Sequence, residues 1–241
     1  MTAGKIVDFA TGAEFEAPLH PYYPIGVVIT GYVAKTLSTL EILGIFTVTC
    51  LSILAPTLLY IRRTRPHLPS GDVLTALWFV LCGSIHLGLE GYFAFYAHDI
   101  ATRSALLAQL WKEYSLSDSR YLTADTFVVC METVTAVFWG PLSFVCAWCI
   151  ATEHPLRYPL QSIISLGQLY GDVLYYGTCT LDLVRSGIEY SRPERAYFWG
   201  YYMLLNSFWI VIPLYLVIRS AVETKRAFAK VKEATQATSA K

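Results

Sequence analysis

Apolar residues in this chain gather into runs about as long as a lipid bilayer is thick, and most charged residues lie between them. About twenty apolar residues in a helix cross the hydrocarbon core. Five such runs occur, at 41–60, 73–96, 126–150, 158–178 and 197–218, of which 158–178 is the least apolar. The pattern predicts an all-α integral membrane protein with five transmembrane helices.

The composition supports this interpretation. The chain has 241 residues, of which 55% are hydrophobic and only 15% are charged, whereas about 25% of the residues of soluble domains are charged. The net charge is zero, and no long basic run occurs outside the C-terminal tail. These features exclude a nucleic-acid partner and leave the lipid membrane as the expected one.

The spans divide the chain into an N-terminal polar and interfacial arm (1–40), a five-helix transmembrane domain (41–220) and a basic tail (221–241). Between spans two and three, apolar residues recur at helical spacing and predict an amphipathic surface helix. These residues are Leu106, Leu107, Leu110, Trp111 and Tyr114. Basic clusters follow spans one and five, on the same side of a five-span protein, and the C-terminus is therefore expected to be cytoplasmic.

Metal, redox and nucleotide chemistry lack their usual signatures. The five histidines are spaced singly, and the sequence has no H-E-x-x-H motif, no P-loop and no G-x-G-x-x-G motif. Cys146 and Cys149 form a lone C-x-x-C, and all six cysteines lie in apolar stretches, as small hydrophobic residues do. We expect no metal and no cofactor.

A few ionisable or strongly polar residues fall inside the predicted spans. They are His86, Glu90, Glu132, Asp172 and Asn206. A charged group at bilayer depth costs roughly 2.5 to 3.5 kcal/mol, so each needs a reason. His86 and Glu90 are four residues apart, which places both side chains on one helix face.

Spans three and five each contain a polar residue and, three positions later, a second residue whose side chain lies on the same helix face. Thr135 follows Glu132, and Trp209 follows Asn206, so these faces and that of His86 are expected to converge on one interior pocket. The alternative that such residues only form hydrogen bonds between helices stays open. For Asp172 that structural interpretation is favoured.

The remaining chemistry needs only protons. Burial raises the pKa of a carboxyl group toward neutrality, so that it can donate a proton while a second group accepts one. Such a pair can move a carbon–carbon double bond, and aromatic faces can stabilise the carbocation that forms. The chain has 6 Trp, 17 Tyr and 12 Phe, although aromatic belts at the membrane surface account for many of these.

Several segments resemble the emopamil-binding protein family, the 3β-hydroxysteroid Δ8-Δ7-isomerases of the endoplasmic reticulum. The likeness runs in order from about Pro18 into the fifth span. It is carried by "CGSIHLGLEGYF" (82–93), "QLWKEYSLSDSRYL" (109–122), "VCMETVTAVFWGPLS" (129–143), "GQLYGDVLYY" (167–176) and "NSFW" (206–209).

The resemblance implies five helices enclosing a sterol-binding cavity and a Δ8-sterol substrate in the endoplasmic reticulum membrane. The reaction it implies is protonation at carbon 9 and deprotonation at carbon 7. Cationic amphiphilic amines are expected inhibitors, because an ammonium group imitates the carbocation. The implied catalytic residues are His86, Glu90, Glu132 and Asn206, and the implied substrate-binding residues are Thr135, Trp209, Trp111, Arg120 and Tyr121.

One hypothesis divides the proton transfers between the two acids, although the spacing does not decide which acid donates and which accepts. Glu132, with His86, handles the proton given to carbon 9, and Glu90 takes the proton from carbon 7. Asn206 and Trp209 position and stabilise the cation. A homodimer is left open.

Two rival functions remain to be weighed. A non-catalytic membrane receptor for sterols or cationic amphiphilic amines, such as the sigma-2 receptor of the same broader fold, needs polar pocket residues but not this whole set. A proton-coupled transporter would show inverted repeats, and no internal repeat is evident. The full set of residues favours the isomerase.

Overall fold

A computed structural model describes residues 5–7, 14–16 and 20–239. The predicted N-terminal arm therefore lies partly outside the described residues, which leave out 1–4, 8–13 and 17–19. Two short strands, β1 (Lys5–Val7) and β2 (Glu14–Glu16), pair antiparallel with Lys5 opposite Glu16. The rest of the described regular structure is helical.

Within residues 20–239, the fold contains eight α-helices. They are α1 (Thr39–Thr64), α2 (Ser70–Ser84), α3 (Gly91–Tyr96), α4 (Leu106–Tyr114), α5 (Thr126–Val134), α6 (Gly140–Ala151), α7 (Arg157–Ser186) and α8 (Asn206–Ser239). Three π-helical stretches join or precede them: Ile85–Glu90, Thr135–Trp139 and Ala196–Leu205. Two 3₁₀ turns, Ile100–Thr102 and Ser119–Tyr121, flank α4.

Within the described chain, four continuous helical segments are long and apolar enough to cross a membrane. They are Thr39–Thr64, Ser70–Tyr96, Thr126–Ala151 and Ala196–Ser239. The predicted spans 41–60, 73–96, 126–150 and 197–218 lie within these segments, so the prediction of an all-helical membrane protein is confirmed at this level. The run 158–178 lies in α7, which does not meet the same criterion.

Helix α1 begins with a capping box and lies at the edge of the bundle. The Ser38 hydroxyl accepts from the Glu41 backbone N–H at 3.3 Å, and the Glu41 carboxylate accepts from the Ser38 N–H at 2.8 Å. Only Ile42 and Ile61 of this helix are buried. Helix α1 packs mainly against α2 and α4, and much of its remaining apolar surface is exposed, as at Val48, Leu51 and Leu59.

One end of the bundle is held by a charged cluster. Asp72 at the start of α2 accepts from Arg157 of α7 at 2.8 Å and from Arg219 of α8 at 2.6 Å. The interior beside it is apolar, with Phe79 and Ile150 fully buried. The basic end of α1 and the tail lie on this side of the protein, and the tail continues α8 as an exposed helix to Ser239.

Helix α4 closes the opposite end, and here the sequence-based prediction needs correction. The helix lies where predicted, but its polar face is buried. Lys112 is fully buried, and its ammonium donates to the Val33 and Arg103 carbonyls at 2.5 and 2.7 Å. Glu113 is 2% exposed because it pairs with Lys35 at 2.5 Å. Hydrophobic spacing identified the helix but not the partners that cover it.

Candidate active site

A cavity of about 810 Å³ lies inside the bundle between α1, α2, α4, α5, α7 and α8. Its wall is largely apolar, and the sequence-predicted site residues line it with one exception, Arg120. The lining ones are His86, Glu90, Trp111, Tyr121, Glu132, Thr135, Asn206 and Trp209. The structure thus brings the faces that carry His86, Glu132 and Asn206 to one cavity.

The helices that carry His86, Glu90, Glu132 and Asn206 change to a π-helix at or within three residues of these side chains, whereas α7, which carries Asp172, does not. His86 and Glu90 lie within Ile85–Glu90, Glu132 lies one turn before Thr135–Trp139, and Asn206 directly follows Ala196–Leu205. A π-helical turn contains an extra residue, which shifts the direction of the side chains that follow, and such turns are frequent at functional sites.

His86 is fully buried, and both of its ring nitrogens have partners. Nδ1 lies 2.7 Å from Glu90 Oε2, and Nε2 lies 2.9 Å from the side-chain nitrogen of Gln168. With the Gln168 amide donating, His86 Nε2 is the acceptor and the ring proton lies on Nδ1, directed at Glu90. The pair predicted from the spacing i, i+4 is thus formed, and Gln168 fixes its tautomer.

Glu132 of α5 is buried and also lines the cavity. Its Oε1 accepts from the Tyr121 hydroxyl at 2.6 Å. Burial raises the pKa of the Tyr121 phenol well above its usual range, so this group acts as a neutral donor. Glu132, Glu90 and His86 therefore place two carboxyl groups and one imidazole at the wall of the same cavity.

Asn206 is held from two sides. Its Nδ2 donates to the Tyr202 carbonyl at 2.7 Å, and its amide lies 3.0 to 3.1 Å from the hydroxyl of Tyr114 in α4. The Tyr202 carbonyl also accepts from Tyr176. These contacts fix the direction of the amide at the cavity wall.

Trp209 supplies an aromatic face beside the imidazole. Its ring centroid lies 6.4 Å from that of His86 and 5.4 Å from that of Trp78. Its indole N–H has no hydrogen-bond partner among the described residues. The π-face of Trp209 is thus placed where positive charge near His86 would be stabilised.

Trp111 and Tyr121 form one wall, and Arg120 supports it from behind. The two rings stack with centroids 4.6 Å apart, and Trp111 donates to the Leu89 carbonyl at 2.9 Å. Arg120 binds Asp118 at 2.7 Å and lies over the Tyr175 ring at 4.9 Å. Arg120 therefore does not line the cavity but holds residues that do.

Sequence reasoning missed Gln168 and Tyr114, which hold His86 and Asn206. It also favoured a structural role for Asp172, which lines the cavity and whose Oδ2 has no partner among the described residues. One signal was available: Gln168 and Asp172 are four residues apart in the least apolar run and so share a helix face. Tyr114 gave no such signal, since it fitted the apolar face of α4.

Comparison with known proteins places the chain in a class. The model of EXPERA, the expanded EBP superfamily, matches residues 106–220. The mouse protein named 3-beta-hydroxysteroid-Delta(8),Delta(7)-isomerase is 44% identical over 202 residues, which cover 83% of this chain and 86% of the mouse protein. An Arabidopsis thaliana protein with the name "Probable 3-beta-hydroxysteroid-Delta(8),Delta(7)-isomerase" is 36% identical over 83% of this chain and 86% of its own length.

A third relative carries a different name. Protoglabretal synthase of Citrus sinensis is 36% identical over 147 residues, which cover 61% of this chain and 67% of that protein. The fold of the described residues and these matches define an all-helical membrane protein whose residues 106–220 match the expanded EBP superfamily. More narrowly, the chain belongs to the 3β-hydroxysteroid Δ8,Δ7-isomerase family, which confirms the resemblance found in the sequence.

Proposed function

We propose that this protein is the sterol isomerase that moves the Δ8 double bond of a 3β-hydroxysterol to Δ7 in sterol biosynthesis. The observation that carries the proposal is the placement of Glu90, Glu132 and His86 together in an otherwise apolar cavity. A volume of about 810 Å³ is within the range of small-molecule sites. Membership of the isomerase family supports the same reaction.

The first step is protonation of the alkene. The π electrons form a bond from carbon 9 to a proton, which leaves the cation at carbon 8. We assign the donor as Glu132, whose Oε1 is held by Tyr121, so that Oε2 is free to carry the proton. The proton comes from the O–H bond of the neutral Glu132 acid, which breaks as the C–H bond forms, and Glu90 lines the same cavity as a second carboxyl group.

The second step is loss of a proton from carbon 7. The C7–H bond breaks, its electron pair forms the new C7=C8 double bond, and Glu90 takes the proton. Glu90 is suited to this role because it lines the cavity and His86 Nδ1, 2.7 Å from its Oε2, fixes the direction of its carboxyl group. One proton enters and one leaves, so the reaction needs no electron acceptor.

The carbocation intermediate must be stabilised, and water must be kept from attacking it. The Trp209 face beside His86 supplies cation–π attraction of about 0.5 to 2 kcal/mol, and the Asn206 amide fixes the adjoining wall. Thr135 lines the same wall, with its hydroxyl donating to the Met131 carbonyl. A cationic amphiphilic amine would place its ammonium where the carbocation forms and so act as an inhibitor.

We infer that α7 is the fifth membrane span. Its mean hydropathy is low because it contains several polar residues. These residues are buried inside the bundle and include Gln161, Ser165, Gln168 and Asp172. The exposed side carries an apolar stripe of Ile163, Leu166, Tyr170, Val173 and Val184. Helix α7 also packs along α8 and the π-helical stretch before it, with Gln161 bound to Ser220 of α8 and Tyr176 bound to the Tyr202 carbonyl of Ala196–Leu205. A helix with this outward face suits a lipid environment.

The proposed location is the endoplasmic reticulum membrane, with the C-terminus in the cytoplasm. Arg62 and Arg63 end α1, and Lys225 and Arg226 follow the apolar part of α8. With five spans these clusters share one side, and positive residues favour the cytoplasmic one. The homodimer stays a prediction, to be checked by the mass of the detergent-solubilised protein.

Sterol profiling tests the function. The chain is expressed in cells that lack a Δ8-Δ7 isomerase, and Δ8- and Δ7-sterols are quantified by mass spectrometry. We expect accumulated Δ8-sterols to fall and Δ7-sterols to appear. Unchanged Δ8-sterols, with the protein present in the membrane fraction and binding a cationic amphiphilic amine, would favour the receptor function instead.

A further inference from the structure

A second polar group lines the same cavity and takes no part in the proton transfers. It consists of Glu113 in α4 and Tyr201 in the π-helical stretch Ala196–Leu205. Glu113 Oε1 accepts from the Tyr201 hydroxyl at 3.0 Å and from Thr39 at 3.0 Å, and Oε2 accepts from Lys35 at 2.5 Å. Lys35 and Thr39 do not line the cavity. They hold the carboxylate from behind while its front faces the ligand space.

This cluster still has hydrogen-bond acceptors to offer a ligand. A carboxylate provides about four lone-pair positions, and three donors occupy Glu113. The Tyr201 hydroxyl donates its hydrogen bond to Glu113. The lone pairs of the Tyr201 oxygen can therefore accept a hydrogen bond from a ligand. The unused positions at the cavity surface are therefore acceptors. A ligand group that carries a hydroxyl proton matches them, and a carbonyl group does not.

The cluster lies about one helical turn from Asn206, one of the proposed catalytic residues. Tyr201 precedes Asn206 by five residues, which is one hydrogen-bonded turn of a π-helix. Glu113 is followed directly by Tyr114, whose hydroxyl contacts the Asn206 amide. A sterol is a rigid fused-ring molecule whose single hydroxyl lies on ring A, at a fixed distance from the double bond between rings B and C. Two separate polar sites in one apolar cavity match that arrangement.

We propose that Glu113 and Tyr201 bind the 3β-hydroxyl of the sterol and so set which ring carbons meet Glu90 and Glu132. The sterol hydroxyl donates to the open lone pair of Glu113 or to the Tyr201 oxygen. This assignment rests on the proposed function, since it names the group that orients the same substrate. It makes Glu113 a specificity-determining residue that prefers a 3β-hydroxyl over a 3-ketone.

The test compares two substrates that differ only at carbon 3. The kcat/KM of the full-length protein in detergent is measured for a Δ8-sterol with a 3β-hydroxyl and for the matching Δ8-3-ketone. In the wild type we expect a strong preference for the hydroxyl. In Glu113→Gln the amide can donate to the ketone, so the ratio of the two kcat/KM values should fall about tenfold or more.

Two further variants separate recognition from structural support. Thr39→Val removes a donor to the same carboxylate from outside the cavity, and its ratio should stay within about twofold of the wild-type value. Tyr201→Phe keeps the ring and removes the phenol oxygen, and should lower the ratio by a smaller factor than Glu113→Gln. If Glu113→Gln does not fold, the test rests on Tyr201→Phe. An unchanged ratio of the two kcat/KM values in that variant would then overturn the assignment of the 3β-hydroxyl.

The outcomes distinguish this inference from the proposed function. If the wild type does not convert the Δ8-sterol at all, the proposed function fails. If the wild type is active and both variants lower the two substrates by equal factors, Glu113 and Tyr201 only support the fold and the assignment of the 3β-hydroxyl is overturned.

Discussion

The Tyr121 hydroxyl donates to Glu132 Oε1 over 2.6 Å and joins the turn after α4 to the acid of α5. Both side chains are buried, and the Tyr121 ring is stacked on Trp111 at 4.6 Å. The packing of an aromatic cluster outside the membrane helices therefore sets the direction of a carboxyl group inside them.

Tyr121→Phe keeps this stacking and removes only the hydrogen bond to Glu132. Because a hydrogen bond to an uncharged carboxyl group is worth about 0.5 to 1.5 kcal/mol, we expect kcat to fall about two- to tenfold, with little change in KM. Steady-state kinetics on a Δ8-sterol measure this. Tyr190→Phe, which removes a hydroxyl bound to Asp182 away from the cavity, is the matched control, and an equal loss in both variants would contradict the assignment.

Gln168 provides a prediction about the tautomer of His86. In Gln168→Leu the imidazole loses its only partner at Nε2 among the described residues, so the Nδ1 proton is no longer held toward Glu90. A lost buried hydrogen bond of about 1 kcal/mol corresponds to about a fivefold fall in kcat, together with a changed pH profile.

The control for Gln168 lies two turns earlier on the same helix. Gln161 is also fully buried, but it binds Ser220 and the Leu216 carbonyl away from the cavity. Gln161→Leu should lower the melting temperature and leave the pH profile unchanged. A wild-type profile in Gln168→Leu would refute the positioning role.

Most residues that line the cavity could be predicted from the sequence, because the key pairs of residues are close together in the chain. His86 and Glu90 share a face by helical spacing alone, and the cost of polar groups in a bilayer singles them out. The rotation of α7 about its own axis is a tertiary property. That rotation brings Gln168 to His86, and it also turns Asp172 into the cavity, where the spacing alone favoured a structural role.

Two features of the fold could not be predicted from the periodicity of apolar residues. The π-helical stretches keep the apolar composition of an ordinary span, so hydrophobic pattern does not distinguish them from α-helix. Glu113 lay on the polar side of an amphipathic pattern, and its burial depends on Lys35, which is 78 positions away in the chain. Long-range ion pairs of this kind leave no local signal.

Replacement of Glu132 tests the division of roles between the two acids. Glu132→Gln keeps the shape and the contact with Tyr121 but removes the transferable proton, so turnover should fall at least about a hundredfold. Binding of the Δ8-sterol should be largely retained. Glu153→Gln, in an exposed pair with His67, should behave as the wild type. Retained turnover in Glu132→Gln would move the donor role to another group.

Asp72 should be important for stability rather than for turnover chemistry. Asp72→Ala leaves Arg157, which is 8% exposed, and Arg219 without their shared carboxylate. Breaking a buried pair costs about 3 to 5 kcal/mol, so the detergent-solubilised protein should melt at a clearly lower temperature. Glu223→Ala removes an exposed pair with Arg226 and should cost less than about 1 kcal/mol. Similar melting temperatures for both variants would show that the three-helix cluster contributes little.

Two glycines of α7 should respond in opposite directions to the same substitution. A Cβ at Gly167 would overlap the indole of Trp139, with Cε2 at 2.6 Å, whereas a Cβ at Gly177 meets nothing within 4 Å. Both Gly167 and Trp139 line the cavity, so Gly167→Ala should cost about 1 to 3 kcal/mol by overpacking and lower kcat. Gly177→Ala should stabilise the helix by up to about 1 kcal/mol and leave kcat unchanged. Thermal melts and sterol kinetics on the two variants measure both effects, and a Gly167→Ala protein that melts and turns over like Gly177→Ala would contradict the close packing of α7 against the stretch Thr135–Trp139.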